Sequence, residues 1–234
     1  MSWVLANLPT IAGHLLAHLL QAVPAIVASF VLAIPIARLA RVARPLRAVL
    51  VTGSSLLYAV PSLALFVILP IILATGIRDP LNVIVALTLY GLALLVPATA
   101  DALDAVDARV LDAATAMGMG RLRCFLTVEL PLAGPAILTG LRVVTVSTIS
   151  LTTVGAVLGV RSLGWLFTDG FQRGITAEIV TGLAATAALA LVLDGLVLAL
   201  GRLCLPWTWK RAGDAGAVAA GTCAAAPNSQ EGQA

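Results

Sequence analysis

Apolar residues fall in long runs rather than alternating with polar ones, and short charged stretches separate the runs. The runs cover approximately residues 14–37, 48–74, 81–100, 132–159 and 177–200. Each is at or above the length of about 18–20 apolar residues that carries a helix across a bilayer core. The pattern predicts an all-α membrane protein with about five transmembrane helices. Residues 1–13 form a short outside segment, and residues 14–205 form one membrane domain. Residues 206–234 form a tail, expected to be disordered from residue 212, where alanine and glycine dominate.

The second run is broken by Pro61 and Pro70. Proline removes a backbone donor, and a membrane helix tolerates the kink where neighbours satisfy the freed carbonyl. Ser54, Ser55, Tyr58 and Ser62 make this run the most polar of the spans. That face is expected toward the protein interior, or along a solute path with Tyr58, Pro61 and Ser62 on it. Asp79 and Pro80 suit the cap and first position of the third helix. The hydroxyls of Thr145, Ser147, Thr148, Ser150, Thr152 and Thr153 in the fourth run are expected to bond between helices.

Residues 101–131 are the one long charged interruption. On a helical wheel Leu103, Val106, Val110, Ala114 and Met117 share a face, with Asp101, Asp104 and Asp112 opposite and Asp107 at the margin. This predicts an amphipathic helix outside the hydrocarbon, broken near Gly118 and Gly120, with the aspartates on a solvated side. Acidic residues suit a protein partner better than an anionic lipid surface.

Composition agrees with a membrane class: 60% of residues are hydrophobic and 11% charged, against about a quarter charged in soluble domains. The net charge of +3 reads as orientation rather than nucleic-acid binding. Arg38, Arg41, Arg44, Arg47, Arg109, Arg121, Arg123, Arg202, Lys210 and Arg211 fall on one side of the spans; Arg78, Arg161 and Arg173 fall on the other. The excess places residues 101–131 and the C-terminus in the cytoplasm and the N-terminus outside. The cluster from Arg38 to Arg47 is also a candidate site for an anionic lipid or a partner.

Two charges lie inside spans, Arg142 and Asp194. Each is a functional candidate by default. Arg142 is expected either to act there or to reach toward the helix end; Asp194, to pair with Arg142 or to reach the interface. His14 and His18 share a face without a third ligand, so packing outweighs metal binding. Cys124, Cys204 and Cys223 lack metal or redox spacing. Trp3, Trp165, Trp207 and Trp209 sit near span ends, where aromatic belts belong. No phosphate-binding loop, Gly-x-Ser-x-Gly or HExxH is present, so no catalytic role or bound cofactor is expected.

Residues Asp112-Ala113-Ala114, three further residues, Gly118, nine residues, then Val128-Glu129-Leu130-Pro131 resemble the cytoplasmic signature of permease subunits of bacterial ABC importers. That signature reads Glu-Ala-Ala, three residues, Gly, nine residues, Ile-x-Leu-Pro; Asp replaces Glu and Val replaces Ile here. Within this superfamily residues 14–205 resemble the glycine betaine/carnitine/choline branch. The shared landmarks are Tyr58-Ala59-Val60-Pro61-Ser62-Leu63-Ala64, Leu130-Pro131 through Gly140-Leu141-Arg142, and Leu163-Gly164. The chain departs at 159–164, where relatives show Gly-x-Gly-Gly-Leu-Gly, which implies a stiffer outer loop.

The resemblance implies a type I importer fold and a segment that docks on a separate ATPase through Asp112, Ala113, Ala114, Gly118, Val128, Leu130 and Pro131. Asp112 would cap the helix or pair with a basic group of the ATPase, and Pro131 would open the fourth span. It further implies a second permease copy or paralogue, an extracytoplasmic solute-binding protein, and ATP used only by the partner. An importer for another solute such as methionine, an ATP-independent carrier or channel, and a scaffold are the rival readings.

Overall fold

The computed structural model describes residues 2–41 and 44–207. Trp209, Lys210, Arg211, Cys223 and the tail expected from residue 212 lie outside the described residues, as does the side chain of Arg44.

After a short helix α1 (Ser2–Ala6), α2 runs from Leu8 to Ala40. It starts earlier than the apolar run suggests, because Pro9 occupies the first turn, where its missing N–H costs nothing. Ala22, Ala25, Ala33, Ala37 and Ala40 are fully buried along α2. Such small residues let helix backbones approach closely where lipid offers no hydrophobic drive. Their main neighbour is α5 (Pro80–Asp104). At the crossing the Ser29 hydroxyl donates to Ala25 O (2.7 Å) and reaches Thr88 O in α5 (3.2 Å). A Cβ on Gly91 would lie 2.1 Å from Ser29 Oγ, so the approach requires glycine there.

The second apolar run is not a single kinked span. It forms α3 (Arg44–Ala59) and α4 (Ser62–Leu73), which meet at 107°. Pro61 lacks an N–H and holds an extended backbone at φ −58, ψ 129. The Val60 carbonyl accepts the Tyr90 hydroxyl at 2.5 Å, so α5 supplies a partner at the break. Ser55 and Tyr58 face outward from the chain rather than into its interior. Asp79 caps α5 as its type predicts, its Oδ1 accepting from Leu81 N at 2.9 Å.

After α5 come α6 (Ala108–Ala116), α7 (Arg121–Cys124), a π turn (Phe125–Glu129) and α8 (Leu130–Val154). A 3₁₀ turn (Gly155–Leu158), α9 (Gly164–Arg173) and α10 (Thr176–Cys204) complete the described chain. Among the described residues, α2, α5, the continuous stretch 121–158 and α10 are each long and apolar enough to cross a membrane, and the bent pair α3–α4 makes five if it counts as one broken span. The protein is thus an all-α, multi-pass membrane protein. Only 6% of the most apolar window of α10 is buried within the chain, so lipid or another subunit must cover that helix.

Three hydroxyls of the fourth run, those of Thr145, Thr152 and Thr153, bond inside their own helix rather than between helices. Thr145 donates to Leu141 O and Thr152 to Thr148 O, and Thr153 reaches Ser150 O. A helical threonine has a carbonyl one turn back within reach and need not wait for a neighbour.

Candidate functional site

The expected single amphipathic helix over 101–117 is instead the end of one helix, a turn and a second, short helix. Asp101 to Asp104 belong to α5, and the backbone turns at Ala105 and Val106. Asp107, not Asp112, caps α6: its Oδ1 accepts from Arg109 N at 2.9 Å. The turn rotates the second part of the wheel out of register. Leu103 is fully buried, whereas Met117 is 71% exposed and Val110 42% exposed.

α6 closes with a Schellman motif. Gly118 N donates to Thr115 O (2.9 Å) and Met119 N to Ala114 O (3.2 Å), with Gly118 in the left-handed region at φ +83. Leu111, Ala114 and Thr115 lie on one face of α6; Asp112, Ala113 and Met117 lie on the other, exposed. The two alanines therefore part company: Ala114 is buried inside the chain, and Ala113 is exposed.

Pro131 stands in the first turn of α8, as expected of the residue that opens the fourth span. Helical backbone nevertheless continues without a break from Arg121 through Leu158. A proline ring inside an α-helix meets the carbonyl four residues back. The π turn just before it, closed by Leu130 N onto Phe125 O, widens the helix at that point. Val128, Leu130 and Pro131 are half-buried, and Leu130 packs with Phe125, Leu103 and Ala37.

Of the aspartates expected on a solvated side, Asp101, Asp104 and Asp112 are all exposed, and Asp101 and Asp104 are also paired. Arg41 holds Asp104 at 3.0 Å and also Glu129. Arg47 holds Asp104 and lies 3.5 Å from Asp101. The Arg38 guanidinium sits 4.1 Å over the Phe125 ring. This network ties the ends of α2 and α5 and the start of α3 to Glu129, the position that the signature leaves unspecified. Glu129 is a buried residue that the sequence reading did not single out.

Within the spans, Arg142 and Asp194 form a two-pronged pair. Arg142 Nε and Nη2 donate to the two carboxylate oxygens, each at 2.7 Å. This joins α8 to α10, whose own burial is slight. Removing one partner leaves an unpaired charge, while removing both leaves two apolar groups. Asp194→Asn is expected to lower the thermal midpoint of the purified protein in detergent. Arg142→Leu together with Asp194→Leu is expected to restore most of it. Equal losses in the single and double variants would contradict a mutual role for the pair.

At the opposite end of the bundle, polar side chains of α2 hold the loop before α9. Gln21 Nε2 donates to Arg161 O at 2.7 Å, and Leu163 N lies 3.4 Å from His18 Nδ1. The His14 ring stacks on Trp165 at 4.7 Å. The histidines thus pack against the loop, and Trp165 has a partner within the chain. Tyr58 stands edge-on to Tyr90, with ring centroids 6.2 Å apart. Tyr58 is half-exposed, with Pro61 and Ser62 following at the helix break.

Residues 25–209 match the family described as binding-protein-dependent transport system inner membrane component. An ergothioneine transport permease/ergothioneine binding protein of Helicobacter pylori is 33% identical over 151 residues, covering 64% of this chain and 27% of that protein. The glycine betaine/carnitine/choline transport system permease protein of Bacillus subtilis is 29% identical over 178 residues, covering 76% of each chain. Among solved structures, an inward-facing methionine ABC transporter superposes with a TM-score of 0.73 at 19% identity, covering 83% of this chain and 95% of that one.

Proposed function

The chain belongs to the binding-protein-dependent transport system inner membrane component family, and on that premise we propose that it is the permease subunit of an ATP-driven importer for a small osmoprotectant. Glycine betaine, carnitine, choline and proline are the candidate solutes, the first three supported by the transport named for the Bacillus subtilis relative. The methionine transporter supports the fold alone. The one observation that carries the coupling role is the exposed face of α6, where Asp112, Ala113 and Met117 stand free beside a glycine-closed helix end.

In this reading the basic end of the bundle is cytoplasmic, the C-terminus lies there and the N-terminus lies outside. α6 enters a groove on a separate ATPase subunit, which uses the ATP; this chain binds no cofactor. Ala113 lets the partner approach, and Asp112 offers a carboxylate to a basic group. Glu129 and its arginines carry movement of the segment to the ends of α2, α3 and α5. A second permease copy or paralogue covers the outward faces of α3, α4 and α10. The solute passes between the two permeases, beside Tyr58, Pro61 and Ser62. An extracytoplasmic binding protein docks at the opposite end and selects the solute.

The docking face is tested by placing a single cysteine at Ala113 and screening cysteines across the ATPase groove. A disulfide is expected between Ala113→Cys and the groove, and none from Ala114→Cys, whose side chain points inward. Equal cross-linking from both positions would contradict the assigned face.

A further inference from the structure

The inward face of α6 roofs a hollow of about 340 Å³. Arg38, Arg41, Thr115, Arg121, Phe125 and Glu129 are among its lining residues. Its charges are three guanidiniums against one carboxylate. Arg41 is engaged by Glu129 and Asp104. Among the described residues no carboxylate pairs with Arg38 or Arg121. Arg38 rests on the Phe125 ring instead, and a cation–π contact leaves its outer N–H donors unused. Two uncompensated cations around one hollow call for an anion with several acceptor oxygens.

Position identifies the source. Arg38 lies in the last turn of α2, just past the apolar run 14–37, and Arg121 lines the same hollow. The hollow thus opens beside the end of a span, where a bilayer presents phosphate at high local concentration. Leu111, Met119 and Phe125 add apolar wall beside the charges, which suits the glycerol end of a headgroup better than a free ion. We propose that this hollow binds the phosphodiester headgroup of an anionic phospholipid, such as phosphatidylglycerol, on the basic side of the membrane. The headgroup then props α6 from beneath while the opposite face of α6 stays open. The proposal concerns lipid binding alone and stands or falls separately from the transport reading.

The test uses the full chain in nanodiscs of zwitterionic lipid containing a minor fraction of phosphatidylglycerol with a photoactivatable headgroup. Labelling is expected within residues 111–129. In Arg38→Gln/Arg121→Gln it should fall roughly thirtyfold, the effect of removing two basic residues from an anionic surface. In Arg38→Lys/Arg121→Lys, which keeps both charges, it should persist. Monodisperse elution and an unchanged thermal midpoint establish that each variant is folded. Equal labelling of the Gln variant, equal loss in the Lys variant, or no label in this segment would overturn the proposal. Competition by millimolar glycerol phosphate or inorganic phosphate would assign the hollow to a soluble phosphate and overturn the lipid as its ligand.

Discussion

Replacing Gly118 by tryptophan is expected to cut uptake of labelled glycine betaine by roughly thirtyfold in cells that depend on this importer. Two costs act, and the second sets the size. At φ +83 an L residue other than Asn or Asp is strained by about 1–2 kcal/mol. Among the described residues, no atom beyond the two adjoining residues lies within 4 Å of a Cβ built there, so the indole has room within the chain and projects into open space. Loss of docking worth about 2 kcal/mol, the scale of an interface hot spot, corresponds to that thirtyfold. The graded series separates the costs. Gly118→Asn tolerates the left-handed backbone and should retain most uptake. Gly118→Ala should fall between. Undiminished uptake by the tryptophan variant under osmotic stress would remove α6 from the coupling mechanism.

The second large effect is structural and lies at the other end of the bundle. Gly164→Ala is expected to destabilise the protein by about 3 kcal/mol or more, or about 6–12 °C in thermal midpoint for a chain of this size. A Cβ at Gly164 would lie 2.0 Å from the Thr153 carbonyl oxygen and 2.8 Å from its Cα. Those atoms are backbone of α8 and have no rotamer by which to retreat. The adjoining loop is pinned to α2 through His18 and Gln21, so it has little freedom to shift. Gly13→Ala is the matched control: it is helical, with nothing within 4 Å of its Cβ, and alanine is the better helix former. A midpoint unchanged in Gly164→Ala would show that the loop does not pack on α8 as described.

Local chemistry was legible in the chain, and distant pairing was not. The apolar runs, the Asp79 cap and the glycine at 118 are each decided by near neighbours in sequence, and each appears where its residue types place it. The double helix at Pro61 was half legible: proline marks the break, but the 107° angle depends on Tyr90 of α5 meeting the Val60 carbonyl. The capping residue of α6 was misplaced because Asp107 and Asp112 are chemically identical, and only the turn at 105–106 chooses between them. Arg41 with Glu129, Arg142 with Asp194, and Gln21 with a carbonyl 140 residues away all join separate helices. No periodicity reports such contacts. Of the signature segment, spacing revealed the residues but not their division into a buried side and an open side.

That division bears on the rival readings. A scaffold has no use for an exposed, glycine-closed helix between α5 and the long helix 121–158, and an ATP-independent carrier would run without it. The direct discriminator is reconstitution of the purified chain in liposomes, with and without its ATPase and binding protein, followed by uptake of labelled glycine betaine. Accumulation is expected only with all components and internal ATP present. Equal accumulation by the chain alone would contradict the assignment.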